Sequence, residues 1–251
     1  MKVSRRKFCG AAATTAGGLW LFRNTGWDRV APGPDDELNC ILLDLKAHCV
    51  LRESLHGYQA ALGADEHNCL REATTGSPRR CRMAIVPGLG PVDPATMGML
   101  CDLLEAGTTV LLESGAAFLN PVEFVAHQEM LHGYFDLAVE PPVNLWSEKT
   151  GDGDLLAHRS RPHQRKNEDG RESVPYVDYI WPREKSVRDF TRVIPVSAKA
   201  GDVIGRVGPL PVAVKRRMAN GTLIFLGSPL GPALRAEDYE ARSWLRLVTA
   251  L

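Results

Sequence analysis

Arg82-Met83-Ala84-Ile85-Val86-Pro87-Gly88-Leu89-Gly90-Pro91-Val92-Asp93-Pro94 passes from an apolar run, through a tight turn, into a helix start. The run Arg82 to Val86 suits a strand covered on both faces, as parallel strands are. Asp93 is a good N-cap, and Pro94 belongs at the first helical position. Met97, Leu100, Cys101 and Leu104 then recur at helical spacing, and Gly107 ends the helix. Thr108 to Leu112 reads as the next strand. It runs into Glu113-Ser114-Gly115, after which Asn120, Pro121 and Glu123 outline a capping box for a helix closed by Gly133.

The same alternation extends in both directions. Upstream, Asn39 to Leu45 reads as a buried strand. A helix follows from about Ala47 to Leu62, with Leu51, Leu55, Tyr58 and Leu62 on one face and Gly63 as its stop. Downstream, Phe135 to Val139 is expected to form a strand. Further strands are expected at Tyr176 to Trp181, Val187 to Val196, Asp202 to Val207, Pro211 to Arg217 and Thr222 to Leu226, with Asn220-Gly221 as a hairpin turn. A closing helix uses Ala241, Trp244, Leu245 and Val248. The fold expected is α/β: a mostly parallel, flavodoxin-like sheet flanked by helices, with antiparallel strands added in the C-terminal third.

The ends and the middle of the chain differ in composition. Ser4-Arg5-Arg6-Lys7-Phe8 resembles a twin-arginine export signal, and 13 apolar or small residues follow, from Gly10 to Phe22. A spanning helix needs about 20. Residues 1–25 are therefore expected to direct export to the periplasm or beyond, with membrane contact only through this segment. Residues 26–37 read as a linker and 38–251 as a single domain. The charged, Gly-rich stretch 147–173 reads as a flexible insertion. Outside the leader, 25 basic face 30 acidic residues, so no basic stripe for nucleic acid is expected. The six cysteines include no C-x-x-C pair. Cys40 and Cys101 fall on apolar faces and read as small core residues. H-E-x-x-H is absent, His127 and His132 are five apart, and His48, His56 and His67 lack ligand spacing, so neither metal nor cofactor is expected.

Three stretches carry a family resemblance: Ile85 to Gly90 with its helix, Leu112-Glu113-Ser114-Gly115-Ala116, and Leu210 to Val214 followed by Gly221 to Gly227. In these the chain resembles the class I glutamine amidotransferase-like superfamily. It is most similar to non-catalytic branches such as the middle domain of some β-galactosidases and trehalose-utilisation-type proteins. The resemblance implies a catalytic cysteine at the elbow, where Glu113 stands instead, and a late histidine, whereas the last histidine here is His163. A non-catalytic role is therefore expected: binding of a small polar, saccharide-like ligand or of an envelope protein partner. Gly88, Gly90, Glu113, Ser114 and Ser228 are the ligand-binding candidates, at the strand ends where such sheets hold ligands. The alternative is a carboxylate-based hydrolase using Glu113, with Asp44 or Ser114 as its partner. It requires Glu113 in an open crevice. A third possibility, a structural assembly subunit, requires that crevice filled and an apolar patch exposed elsewhere.

Overall fold

The computed structural model describes residues 38–45, 52–63, 72–73, 81–114, 118, 120–144, 175–189 and 192–251. All lie in one compact unit, Glu37–Leu251. The expected export signal, linker and insertion fall outside the described residues.

The described strands are β1 (Leu38–Leu43), β2 (Glu72–Ala73), β3 (Cys81–Leu89), β4 (Thr109–Ser114), β5 (Val143–Asn144), β6 (Tyr176–Tyr179), β7 (Lys185–Arg188), β8 (Arg192–Val193), β9 (Asp202–Val207), β10 (Leu210–Met218) and β11 (Gly221–Leu226). The helices are α1 (Arg52–Gly63), α2 (Pro94–Glu105), α3 (Pro121–Phe135), α4 (Gly231–Arg235) and α5 (Tyr239–Thr249). Nine strands form one sheet in the order β2-β1-β3-β4-β11-β10-β9-β6-β7, and β5 and β8 pair separately. From β2 to β11 every neighbour is parallel, and from β11 to β7 every neighbour is antiparallel. The α/β class holds, but the sheet is half parallel rather than mostly so.

Alternation along the strands divides the core. Ile41, Leu43, Ala84, Val86, Val110, Leu112, Leu223 and Phe225 pack on one face with α2 and α3. Cys40, Leu42, Met83, Ile85, Leu111, Ile224 and Leu226 pack on the other with α1, α4 and α5. Because helices cover both faces, the central stretches of these strands, Cys40 to Leu43, Met83 to Val86, Val110 to Leu112 and Leu223 to Leu226, are apolar without interruption. Past β11 that continuity fails: the second half of β10 carries Lys215, Arg216 and Arg217, none of them buried.

The caps follow the sequence. Asp93 Oδ1 accepts the Thr96 N–H at 2.9 Å, and Asn120 Oδ1 accepts the Glu123 N–H at 2.9 Å. Gly107 adopts φ +95° just past α2. Four local expectations need correction. Gly133 does not stop α3, which runs to Phe135 and ends at Asp136 with φ 54°. Phe135 to Val139 is consequently not a strand, and only Val139 forms a bridge, to Val196. Val187 to Val196 is two strands in two sheets, β7 and β8. The β10–β11 turn is Ala219-Asn220, with Ala219 at φ 52°. Gly221 serves packing instead, since a Cβ there would lie 2.3 Å from the Thr108 carbonyl oxygen.

The closest backbone approach joins α1 to α4. A Cβ on Gly57 would sit 1.9 Å from the Gly231 carbonyl oxygen, and one on Gly231 would sit 2.2 Å from Ser54 Cα. Gly57→Ala is expected to lower unfolding free energy by about 3 kcal/mol in a urea titration, because backbone must move to admit the methyl group. Gly133→Ala, a helical site with nothing within 4 Å of the new carbon, is expected to raise it by about 0.5–1 kcal/mol.

Candidate functional site

Parallel topology brings the candidate residues to one edge. Asp44 follows β1, Gly90 follows β3, Glu113 and Ser114 end β4, and Ser228 lies just beyond β11. Gly88 sits in the irregular end of β3, where the register against β4 shifts and φ reaches +55°. The C-terminal edge is therefore assembled as expected, but its side chains turn inward. Glu113 and Ser114 are fully buried, Ser228 and Asp44 are 4% and 5% exposed, and Gly88 and Gly90 are buried.

Glu113 is bound to the protein itself. Its Oε2 accepts the N–H groups of Leu230 at 3.0 Å and Gly231 at 3.1 Å, at the start of α4. The hydroxyls of Ser54 and Tyr58, both on α1, face the same carboxylate. These hydroxyls and Oε1 make no hydrogen bond of standard geometry. Burial pushes the Glu113 carboxyl above its ordinary value, and the two hydroxyls and two N–H groups oppose it. Glu113 thus spans β4, α1 and α4, and no solvent face remains for an acid or base.

Ser114, one residue on, points to the opposite face, as strand alternation requires. Its Oγ lies 2.6 Å from His127 Nε2 on α3. Phe118 packs on the imidazole with ring centroids 5.0 Å apart. Burial drives His127 from 6.5 down to about 4, against the opposing effect of the Gly90 backbone, so the ring is neutral at pH 7. A serine–histidine contact is the arrangement of a nucleophile and its base. Here both residues are completely inaccessible, and the contact ties β4 to α3. Glu113 and Ser114 cannot cooperate, because the sheet separates their side chains. Asp44 stands two strands from Glu113, about 10 Å at backbone level.

His127 is the residue that spacing arguments missed. Its partner is 13 positions away, and His132 was the wrong comparison. The useful signal was its helical phase: Phe124, Met130 and Leu131 are buried on the same helix. Ser228 also has an internal partner, donating its hydroxyl to Asp189 Oδ1 at 2.9 Å. Burial and the carboxylates of Glu113 and Asp189 raise Tyr179, which connects these groups electrostatically.

The open space lies elsewhere. A cleft of about 630 Å³ is lined by the β6–β7 hairpin and the start of α5, including Tyr176, Asp178, Ile180, Lys185, Ser186 and Glu240. Ser186 donates its hydroxyl to Asp178, and Lys185 pairs with Glu240 at 2.9 Å. Ile180 is 63% exposed. No sequence feature distinguished this cleft, which depends on how the antiparallel edge meets α5.

The neutral burial of His127 gives a pH test. The unfolded chain takes up a proton below 6.5 and the folded chain only near 4, so falling pH favours unfolding across that window. His127→Gln is expected to remove about 3 kcal/mol of acid sensitivity between those values, read from urea midpoints. Glu113 contributes with opposite sign, since its folded value is raised: stability declines as pH rises above the unfolded value of 4.5. Glu113→Gln is expected to remove that decline.

No family model and no curated protein matches the chain. Solved structures do. It is similar to an exo-β-1,4-mannosidase from Opitutaceae bacterium strain TAV5, with 10% identity, TM-score 0.52, and coverage of 86% of this chain and 36% of that one. It is similar to a cold-adapted β-galactosidase from Rahnella sp. R3, with 10% identity, TM-score 0.52, and coverage of 84% and 32%. A β-galactosidase from Bacillus circulans sp. alkalophilus gives 12% identity, TM-score 0.50, and coverage of 83% and 31%. The chain spans about a third of each of these proteins. These findings overturn the assignment to the class I glutamine amidotransferase-like superfamily: the similar structures are a mannosidase and β-galactosidases. At such identities the likeness is one of fold.

Proposed function

We propose that this chain is an exported, non-catalytic α/β domain that binds a small polar ligand of saccharide type. The parallel half is read as flavodoxin-like, since its order β2-β1-β3-β4-β11 follows the 2-1-3-4-5 pattern when β11 is counted as the fifth parallel strand. The observation that carries the non-catalytic reading is the internal bonding of Glu113. The elbow carboxylate is consumed in holding α4 and α1, so the hydrolase alternative lacks the open crevice it requires.

The ligand site is placed in the cleft of the β6–β7 hairpin and α5. Its carboxylates, ammonium, hydroxyl and phenol offer the donors and acceptors that orient a sugar, and Ile180 offers apolar contact. The similar solved structures are enzymes named for acting on mannosides and galactosides, which supports a saccharide over other polar ligands. The second reading, a structural subunit docking an envelope protein, draws on the same filled edge together with exposed Val122 and Val125 on α3.

A thermal-shift series with neutral mono- and oligosaccharides separates the readings. At about a hundredfold excess over Kd, a bound sugar should stabilise the protein by about 2.7 kcal/mol, or roughly 5–10 °C in Tm. Asp178→Ala and Tyr176→Ala are expected to abolish the shift. Ser114→Ala, at the buried edge, should keep it, and chromatography should show the sugar intact. No shift across the series favours the structural subunit, and cleaved sugar refutes the non-catalytic reading. Export is tested separately: replacing Arg5 and Arg6 with Lys should leave the chain in the cytoplasmic fraction, as expected for a receptor-read address.

A further inference from the structure

The β10–β11 hairpin turns on Ala219-Asn220, and a glycine follows at once. Of the asparagines in the sequence, Asn220 alone precedes a glycine. That pairing matters chemically. The amide nitrogen of the next residue can attack an asparagine side chain, and a side chain on that residue hinders the approach. Glycine has no Cβ and the widest backbone freedom, so it hinders least. Asn220 is also exposed to water. It lies outside the strand ladder, whose last pair is Met218 with Gly221. Ala219 holds φ 52°, a conformation that a residue with a Cβ adopts at a cost. This strain favours opening of the turn beside the reactive pair.

The intact amide is part of the fold. Asn220 Nδ2 donates to the Glu105 carbonyl at 2.8 Å, at the last residue of α2. The final carbonyls of a helix lack partners within it, and this bond satisfies one of them. A carboxylate in the same place has no N–H to give. Gly221 packs against the same corner. A Cβ there would lie 2.3 Å from the Thr108 carbonyl oxygen and 2.8 Å from that of Leu104. One residue on, the Thr222 N–H donates to the Thr108 carbonyl at 3.4 Å, and Thr222 stands opposite Thr109 of β4. A change at Asn220 therefore acts on the end of α2 and the start of β4.

We propose that Asn220 is a deamidation site, and that its conversion loosens the junction of α2, β4 and β11. The Gly221 nitrogen gives its proton to solvent and bonds to Asn220 Cγ. The Cγ–Nδ2 bond breaks, and the nitrogen takes a proton from water and leaves as ammonia. The five-membered imide then adds water across one of its two carbonyl–nitrogen bonds. Opening one bond gives aspartate. Opening the other gives isoaspartate, whose chain runs through Cγ. Water enters and ammonia leaves, so the reaction needs no oxidant. Either product loses the donor to Glu105 and sets a carboxylate at the carbonyl end of α2, which the helix dipole disfavours. Isoaspartate also lengthens the backbone by one carbon where Gly221 has no room to move.

The test holds the full chain in alkaline buffer, folded and, in parallel, unfolded in urea. Peptide mass analysis follows each asparagine, and an isoaspartyl methyltransferase assay follows the rearranged product. The folded chain should convert at Asn220 before any other asparagine. Conversion should quicken as pH rises, because the attacking nitrogen must lose a proton. Asn220→Gln should suppress it, since the longer side chain closes a larger ring. Asn220→Asp, which installs one product without ageing, should lower Tm by about 2–4 °C. The proposal is overturned if Asn220 stays an amide in the folded chain while the unfolded chain converts there. It is also overturned if another asparagine of the folded chain converts first, or if Asn220→Asp melts like the wild type.

Discussion

A single carboxylate fixes the C-terminal edge of the sheet. Glu113 ends β4, the strand between β3 and β11, and from there reaches the first N–H groups of α4 and the hydroxyl face of α1. A buried carboxylate is costly unless it is hydrogen-bonded, and one left without partners would destabilise the fold by several kcal/mol. The Leu230-Gly231 turn is therefore held in register with β4, and Gly231 in turn admits the close approach of Gly57. Enlarging either glycine would push α1 away from the group that Glu113 holds.

The position of Glu113 matters for function because open α/β sheets usually offer ligands the ends of their strands. In this chain the protein occupies that place itself. Glu113 fills one face, the Ser114–His127 contact fills the other, and Ser228 is taken by Asp189. General acid–base and nucleophilic chemistry both need access to a substrate, and Glu113, Ser114 and His127 are all fully buried. Among the described residues, polar cavities occur instead at the two ends of α5, one against the β6–β7 hairpin and one where β3, β4 and β11 begin.

Those cavities differ in their charged lining for a topological reason. The β6–β7 hairpin and the start of α5 bring carboxylates together, whereas the far end of β10 presents Lys215 and Arg217 beneath the end of the same helix. The helix dipole is complementary at both places, since its amino end favours acidic neighbours and its carboxyl end basic ones.

The sequence by itself determined the local elements of the parallel half. Continuous apolar runs marked β1, β3 and β4, the Asp93 and Asn120 caps set the starts of α2 and α3, and Ala241, Trp244, Leu245 and Val248 form the buried stripe of α5. These are short-range effects of side-chain alternation, hydrogen-bonding caps and helical phase. Errors fell where long-range packing overrides local preference. Gly133 passes unnoticed inside α3, Gly221 is needed for contact with Thr108 rather than for the turn, and Val187 to Val196 divides between two sheets. The candidate edge was legible because chain order in a parallel sheet brings strand ends together. Its closure was not, because the partners of Glu113, Ser114 and Ser228 lie 117, 13 and 39 residues away. The tertiary structure brings these polar groups face to face, and hydrogen bonding between distant residues leaves no periodicity in the sequence.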